Sequence, residues 1–224
     1  MEQILHLNRV FLEIQIGHLR SINKLTEEAL VQYEMGLGEW YLQQREIVDD
    51  DESEEDRELL DAEYKELKDD AATSYRQIVR ASLFGTAYGI FEHFLIRICQ
   101  QHRAQSSNQG LSLHHLRGDG IERAKLYLAK VAMIILPETN EWQDLRDYGS
   151  LRNSFVHEQG YITGERSTRI KQLQNRVGTF QIRTTDTQAI LLDSFNSKFL
   201  DLIESLGNQV EKTVEHPNWW SDAT

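Results

Sequence analysis

The chain has little of what builds small, cross-linked or turn-rich proteins. Its single cysteine, Cys99, excludes an internal disulfide framework and suits a reducing compartment. Two prolines and 13 glycines in 224 residues are too few for the many tight turns of a sandwich or barrel, and they favour long unbroken helices. No apolar run approaches the roughly 20 residues that cross a bilayer. Acidic Glu2 departs from the basic-then-apolar layout of a signal peptide. No glycine-rich phosphate loop is present, which leaves a nucleotide-binding regulatory bundle with the least support. The expectation is a soluble cytoplasmic chain with no membrane contact.

Basic charge is scarce as well. There are 24 Lys and Arg against 36 Asp and Glu, a net of −12, which argues against a protein that coats nucleic acid. The distribution qualifies this. Residues 1–70 hold 20 acids and 7 bases, whereas residues 71–224 hold 16 acids and 17 bases. Between residues 161 and 185 the balance turns positive, where Arg166, Arg169, Lys171, Arg176 and Arg183 face only Glu165.

What is present is helical periodicity. Ile4, Leu7, Phe11, Ile14, Ile22 and Leu25 predict a first helix, with Gly36 and Gly38 expected to bend or interrupt it. The acidic run at residues 49–56 reads as a solvated turn, with Ser53 as a helix cap. A second helix with Leu60, Tyr64, Leu67, Ala71, Tyr75 and Ile78 on one stripe completes an antiparallel hairpin. Residues 75–99 are apolar nearly all round and predict a central helix, with a small-residue stripe (Ser82, Gly85, Gly89) open to another helix. Glu92 and His93 lie at the end of that stripe. Residues 105–120 read as a loop with one turn at 113–116, where adjacent His114 and His115 lack metal-ligand spacing. A helix over 121–136 is stopped by Pro137. Residues 167–177 read as a short helix and 177–183 as extended chain. Asp186 or Thr187 is expected to cap a last helix with Leu192, Phe195, Phe199, Leu202, Ile203, Leu206 and Val210. The tail carries Trp219 and Trp220. The divisions are an acidic hairpin over 1–70 packed on the bundle, a helical bundle over 71–216 and a tail over 217–224. The fold class is all-α.

One stretch looks like chemistry. Over residues 140–160, NEWQDLRDYGSLRNSFVHEQG, Asn140 is expected as N-cap with Gln143 reaching back to it, and Gly160 as a stop. Apolar residues recur at Trp142, Leu145, Tyr148, Phe155 and Val156. Arg152 and His157 stand near the end, with Asn153 beside the arginine. A permanent cation and a group that titrates near neutrality form a usable pair. Offset by five residues, they lie roughly 140° apart on a helix, so a two-fold dimer presents them better than one chain does.

The segment L-R-N-S-F-V-H-E-Q-G resembles the signature of the HEPN superfamily, an arginine and a histidine four to six residues apart with a polar residue after the arginine. Residues 82–99, with F-E-H-F-L at 91–95, look like that family's core helix with its acidic residue, Glu92. The resemblance covers roughly residues 71–208. It implies a HEPN-like helical bundle and a homodimeric, metal-independent endoribonuclease without cofactors, in a toxin–antitoxin or antiphage system with an antitoxin or defence partner. Arg152, Asn153 and His157 would be catalytic and Glu92 supporting, with Arg166, Arg169, Lys171, Arg176 and Arg183 as RNA contacts. RNA carries its own nucleophile in the 2′-hydroxyl, so proton transfer by His157 and charge stabilisation by Arg152 suffice. In some pairs of this superfamily a tyrosine two residues after the histidine is modified by a nucleotidyltransferase partner; here Gln159 stands there, and the nearest tyrosine is Tyr161. The alternative is a non-catalytic HEPN-like interaction module.

Overall fold

The computed structural model describes residues 2–50, 54–106, 111–118 and 120–215. Ser53 and the Trp219 and Trp220 tail lie outside them. The architecture is an all-α helical bundle, with one two-stranded ribbon among the described residues. The segment that is apolar nearly all round becomes α3 (Arg76–Gln105). It buries Phe84, Ala87, Phe91, Phe94, Leu95, Ile98 and Cys99 against the other helices. One side stays open. Ser82, Gly89 and His93 are exposed, and a Cβ added at Gly85 or Gly89 would meet nothing within 4 Å. Among the described residues, then, nothing packs directly on Gly85 or Gly89, and α1 borders Gly89 and His93 only across an open groove.

Helix α1 (Glu2–Asp50) runs unbroken for 49 residues, through Gly36 and Gly38, which were expected to bend or interrupt it. Each glycine weakens a helix by only about 1 kcal/mol, too little to break one held by neighbours on both sides. The buried face also differs from the expected one. Leu12, Ile16 and Leu19 enter the core, while Leu7, Phe11, Ile14, Ile22 and Leu25 are 45–65% exposed. The helix is apolar on two sides, and polar anchors select between them. Asn8 bonds Gln101, Arg9 donates to Asn208 at 3.0 Å, and Arg20 pairs with Asp201 at 2.7 Å and Glu204 at 2.8 Å.

The outer half of α1 pairs with α2 (Glu54–Asp69) as an antiparallel hairpin. Tyr41 stacks on Tyr64 at 4.2 Å and Arg45 meets Asp61 at 2.6 Å. Helix α2 passes through a π-helical turn (Asp70–Tyr75) into α3. A π turn winds wider than an α turn and rotates the stripe that follows. This is why Leu60 and Ala71 are buried while Tyr75 and Ile78, expected on the same face, are 42% and 63% exposed.

A 3₁₀ turn (Leu113–His115) precedes α4 (Gly120–Lys130). This helix stops six residues short of the expected 136. The chain turns off the helix at Met133, whose φ is 57°, with the Ala132 and Ile134 amides bonded back to Tyr127 and Leu128; Ala132, Ile134 and Leu136 are buried while Met133 and Ile135 are 71% and 79% exposed. Helix α5 (Asn140–Glu158) and α6 (Arg166–Val177) follow. The extended segment expected over 177–183 forms β1 (Phe180–Ile182), antiparallel to β2 (Ala189–Leu191) with Phe180 opposite Leu191. Asp186 and Thr187 therefore do not cap the last helix. Asp186 closes the hairpin turn, accepting from Arg183 and from the Gln188 amide. Helix α7 begins at Phe195 (Phe195–Glu215), and its Phe195, Phe199, Ile203, Leu206 and Val210 are buried.

Helices α1 and α7 approach closely at Gly207, where a Cβ would lie 2.7 Å from Leu12 Cδ2. Leu12 is buried and has little room to give. Gly207→Ala should destabilise the fold: overpacking of about 1–3 kcal/mol exceeds the gain of up to about 1 kcal/mol in helix propensity. Gly36→Ala, with open space around it, should stabilise by up to about 1 kcal/mol. Urea unfolding of the two variants should move in opposite directions.

Candidate functional site

Helix α5 carries the candidate residues, and its inner face sets their positions. Trp142, Leu145, Tyr148 and Leu151 are buried at intervals of three. The expected stripe ended differently: Leu151 holds the inward position, and Val156 is 53% exposed. The expected cap also differs. Thr139 is the N-cap, with extended backbone and no side-chain cap bond, and its carbonyl accepts from the Gln143 amide. Asn140 is the first helical residue, and Gln143 donates its side-chain amide to Asp147 at 3.2 Å. At the other end Gln159 adopts the left-handed conformation and Gly160 follows with φ 85°. Both backbone N–H groups turn back to the Ser154 carbonyl. A Cβ at Gly160 would sit 2.8 Å from the Phe155 ring, so the chain reverses here only with glycine.

Arg152 is half-buried, and its guanidinium donates to Asn153 Oδ1 at 3.2 Å. Its Nε is buried without a hydrogen-bond partner, and among the described residues no carboxylate pairs with it. His157 is exposed. The helix between them is continuous, so the separation of roughly 140° around its axis applies, and no contact joins the two side chains within the chain.

Facing Arg152 across the α3–α5 contact is Tyr88. The helices meet at Gly149, where a Cβ would lie 2.7 Å from the Tyr88 hydroxyl oxygen. Burial, then the nearby Glu92 and Glu122 carboxylates, push this hydroxyl up to about 12, against an opposing pull from Arg152. Tyr88 thus lies within electrostatic reach of both Glu92 and Arg152. The Glu92 carboxyl lies against the start of α4, since a Cβ at Gly120 would fall 2.9 Å from it. Tyr88 escaped the sequence reading because an apolar helix gives no signal for which tyrosine faces charge.

The basic island divides by partner. Arg176 joins α6 to α5 through Asp144 at 2.7 Å and Asp147 at 2.6 Å. Asp147 is 1% exposed, and Tyr148 beside it is pushed up to about 12, chiefly by burial. Arg183 holds Asp186 at 2.7 Å, and Arg166 lies 3.7 Å from Glu158. Arg169 and Lys171 are exposed and carry no ion pair among the described residues. No three His, Cys, Asp or Glu side chains gather as metal ligands among the described residues, and no described helix is long and apolar enough to cross a membrane.

The class of protein is an all-α helical bundle whose late helix α5 bears the arginine and histidine. No protein-family model, curated protein or solved structure matches the chain.

Arg176→Ala should lower stability by about 1–3 kcal/mol, because it leaves a buried Asp147 oxygen without its charged donor. Lys171→Ala should stay within about 0.5 kcal/mol of wild type. Thermal unfolding checks both. Tyrosine ionises near 10 in an unfolded chain, so the folded protein holds the Tyr88 and Tyr148 protons more tightly. Their contribution to stability is intact below about pH 10 and is lost as pH rises toward about 12. Ultraviolet titration should show late phenolate steps that Tyr88→Phe and Tyr148→Phe each reduce by one; complete ionisation near pH 10 in folded protein would contradict this.

Proposed function

We propose that the chain is a metal-independent endoribonuclease of the HEPN type, a homodimer acting in toxin–antitoxin or antiphage defence. The observation that carries the reading is the state of Arg152. Charged side chains taken from water normally find an opposite charge. This guanidinium is half-buried, has a buried unpartnered Nε and pairs with no carboxylate among the described residues. A phosphate is an anion that a guanidinium holds with two parallel bonds. Arg152 would grip the scissile phosphate and offset the charge that develops on it. Asn153, already accepting from Arg152, would fix its fork. Exposed His157 would move the proton between the 2′-hydroxyl and the leaving oxygen. The separation of the two side chains around α5 favours a cleft shared by two copies. Arg169 and Lys171, exposed and without an ion pair among the described residues, are the phosphate contacts the island has to offer; Arg176 is committed to Asp144 and Asp147.

The test is cleavage of tRNA and total RNA with EDTA present. His157→Ala and Arg152→Ala should each lose on the order of 10²–10⁴-fold in rate, with circular dichroism showing both folded. Wild type should leave cyclic phosphate ends. The Arg169→Ala, Lys171→Ala double variant should cleave more weakly and with a shallower dependence on salt. Cleavage by none of the proteins would point to a non-catalytic interaction module. Equal cleavage by all would remove Arg152 and His157 from the site.

A further inference from the structure

The outer half of α1 presents an apolar line that no described residue covers. Val31, Met35 and Leu42 fall within about 40° of one another around the helix and are 45%, 56% and 65% exposed. Single exposed apolar residues need no explanation, but a line of them on a projecting helix does. Beside this line, about 60–80° round from Val31, run Glu28, Glu39 and Glu46, all exposed. Glu28 lies 3.8 Å from Lys24; Glu39 and Glu46 have no ion pair among the described residues. On the opposite flank charges are matched internally, Glu34 with Arg76 at 2.8 Å and Arg45 with Asp61 at 2.6 Å. At the foot of the line an open groove of about 640 Å³ is bordered by Glu27, Glu28, Val31, Gln32 and Asp193, with Arg76 as its one basic residue.

Charge decides what such a face accepts. Residues 28–70 carry 17 acidic and four basic side chains, a net of −13, whereas residues 1–27 carry three of each. A second copy of the same hairpin, or a nucleic acid, would bring like charge against it. We infer that this face docks a basic amphipathic helix of another protein. That helix lays its apolar stripe along Val31, Met35 and Leu42 and sets lysines or arginines against Glu28, Glu39 and Glu46. The apolar line spans about 17 Å, some three turns of a partner helix, which is the usual scale of helix-on-face recognition. The apolar contact supplies affinity, and the carboxylate row supplies register and on-rate. None of these residues is on α5, so the inference stands whether or not the ribonuclease reading does.

The experiment uses the full chain and a labelled synthetic helix of roughly five turns, with a leucine stripe flanked by lysines. Two control peptides replace the leucines by serine or the lysines by glutamate, and fluorescence anisotropy reads binding. The basic amphipathic peptide should bind, more weakly as salt rises, and both controls should bind at least ten-fold more weakly. The Met35→Ser, Leu42→Ser variant and the Glu39→Gln, Glu46→Gln variant should each weaken it about ten-fold. Leu59→Ser, an exposed apolar lesion on α2, should leave binding unchanged. Circular dichroism should show all variants as helical as wild type. Equal binding of the serine-stripe peptide would reduce the effect to bulk charge and overturn the inference, as would unchanged binding by the Met35, Leu42 variant. Sedimentation showing that wild type self-associates and that this same variant does not would assign the face to a second copy and overturn it too.

Discussion

The bundle hangs on the burial of Phe84. Its ring, fully enclosed, lies edge-on to Phe195 at 5.0 Å, Phe199 at 4.8 Å and Tyr148 at 6.0 Å. Aromatic pairs at such separations add about 0.5–1.5 kcal/mol each beyond the area they bury. More important is what they join. Phe84 belongs to the central helix, Tyr148 to the helix bearing the candidate residues and the two phenylalanines to the last helix. The orientation of α5, and so the placement of half-buried Arg152 and exposed His157, follows from how Tyr148 sits in that cluster.

Polar contacts refine what the apolar cluster permits. Glycine at 149 lets α5 come close enough for the Tyr88 hydroxyl to face Arg152 and Glu92. Arg176 clamps α6 to α5 through a nearly inaccessible Asp147. A buried carboxylate without such a partner is costly, so the clamp holds α6 in place and at the same time commits one arginine of the island to carboxylates. The basic island is therefore partly scaffold. What it leaves without an ion pair among the described residues is a smaller cationic surface, Arg169 and Lys171.

The chain divides its charge along its length in a way that matches its shape. The neutral first 27 residues supply Leu12, Ile16 and Leu19 to the core, and net charge builds up only where α1 leaves it. Burying ionised groups is unfavourable and solvating them is not, so the acidic half projects as a hairpin held by a few matched pairs and the Tyr41–Tyr64 stack.

The sequence by itself determined the helical class, the central helix and the location of the Arg152, Asn153 and His157 segment on a late helix, because period and turn chemistry are local properties. It also marked the short helix, expected over 167–177, and the extended segment after it. Only the tertiary structure decided which of the two apolar faces of α1 is buried, since both have helical spacing and the choice rests on Asn8, Arg9 and Arg20 finding distant partners. The π turn at 70–75, the early end of α4 and the hairpin at 183–188 likewise come from contacts between segments far apart in sequence. The same holds for the arginines. Residue type says that all five of the island are cations, but which of them are held in ion pairs depends on carboxylates that folding alone brings within reach.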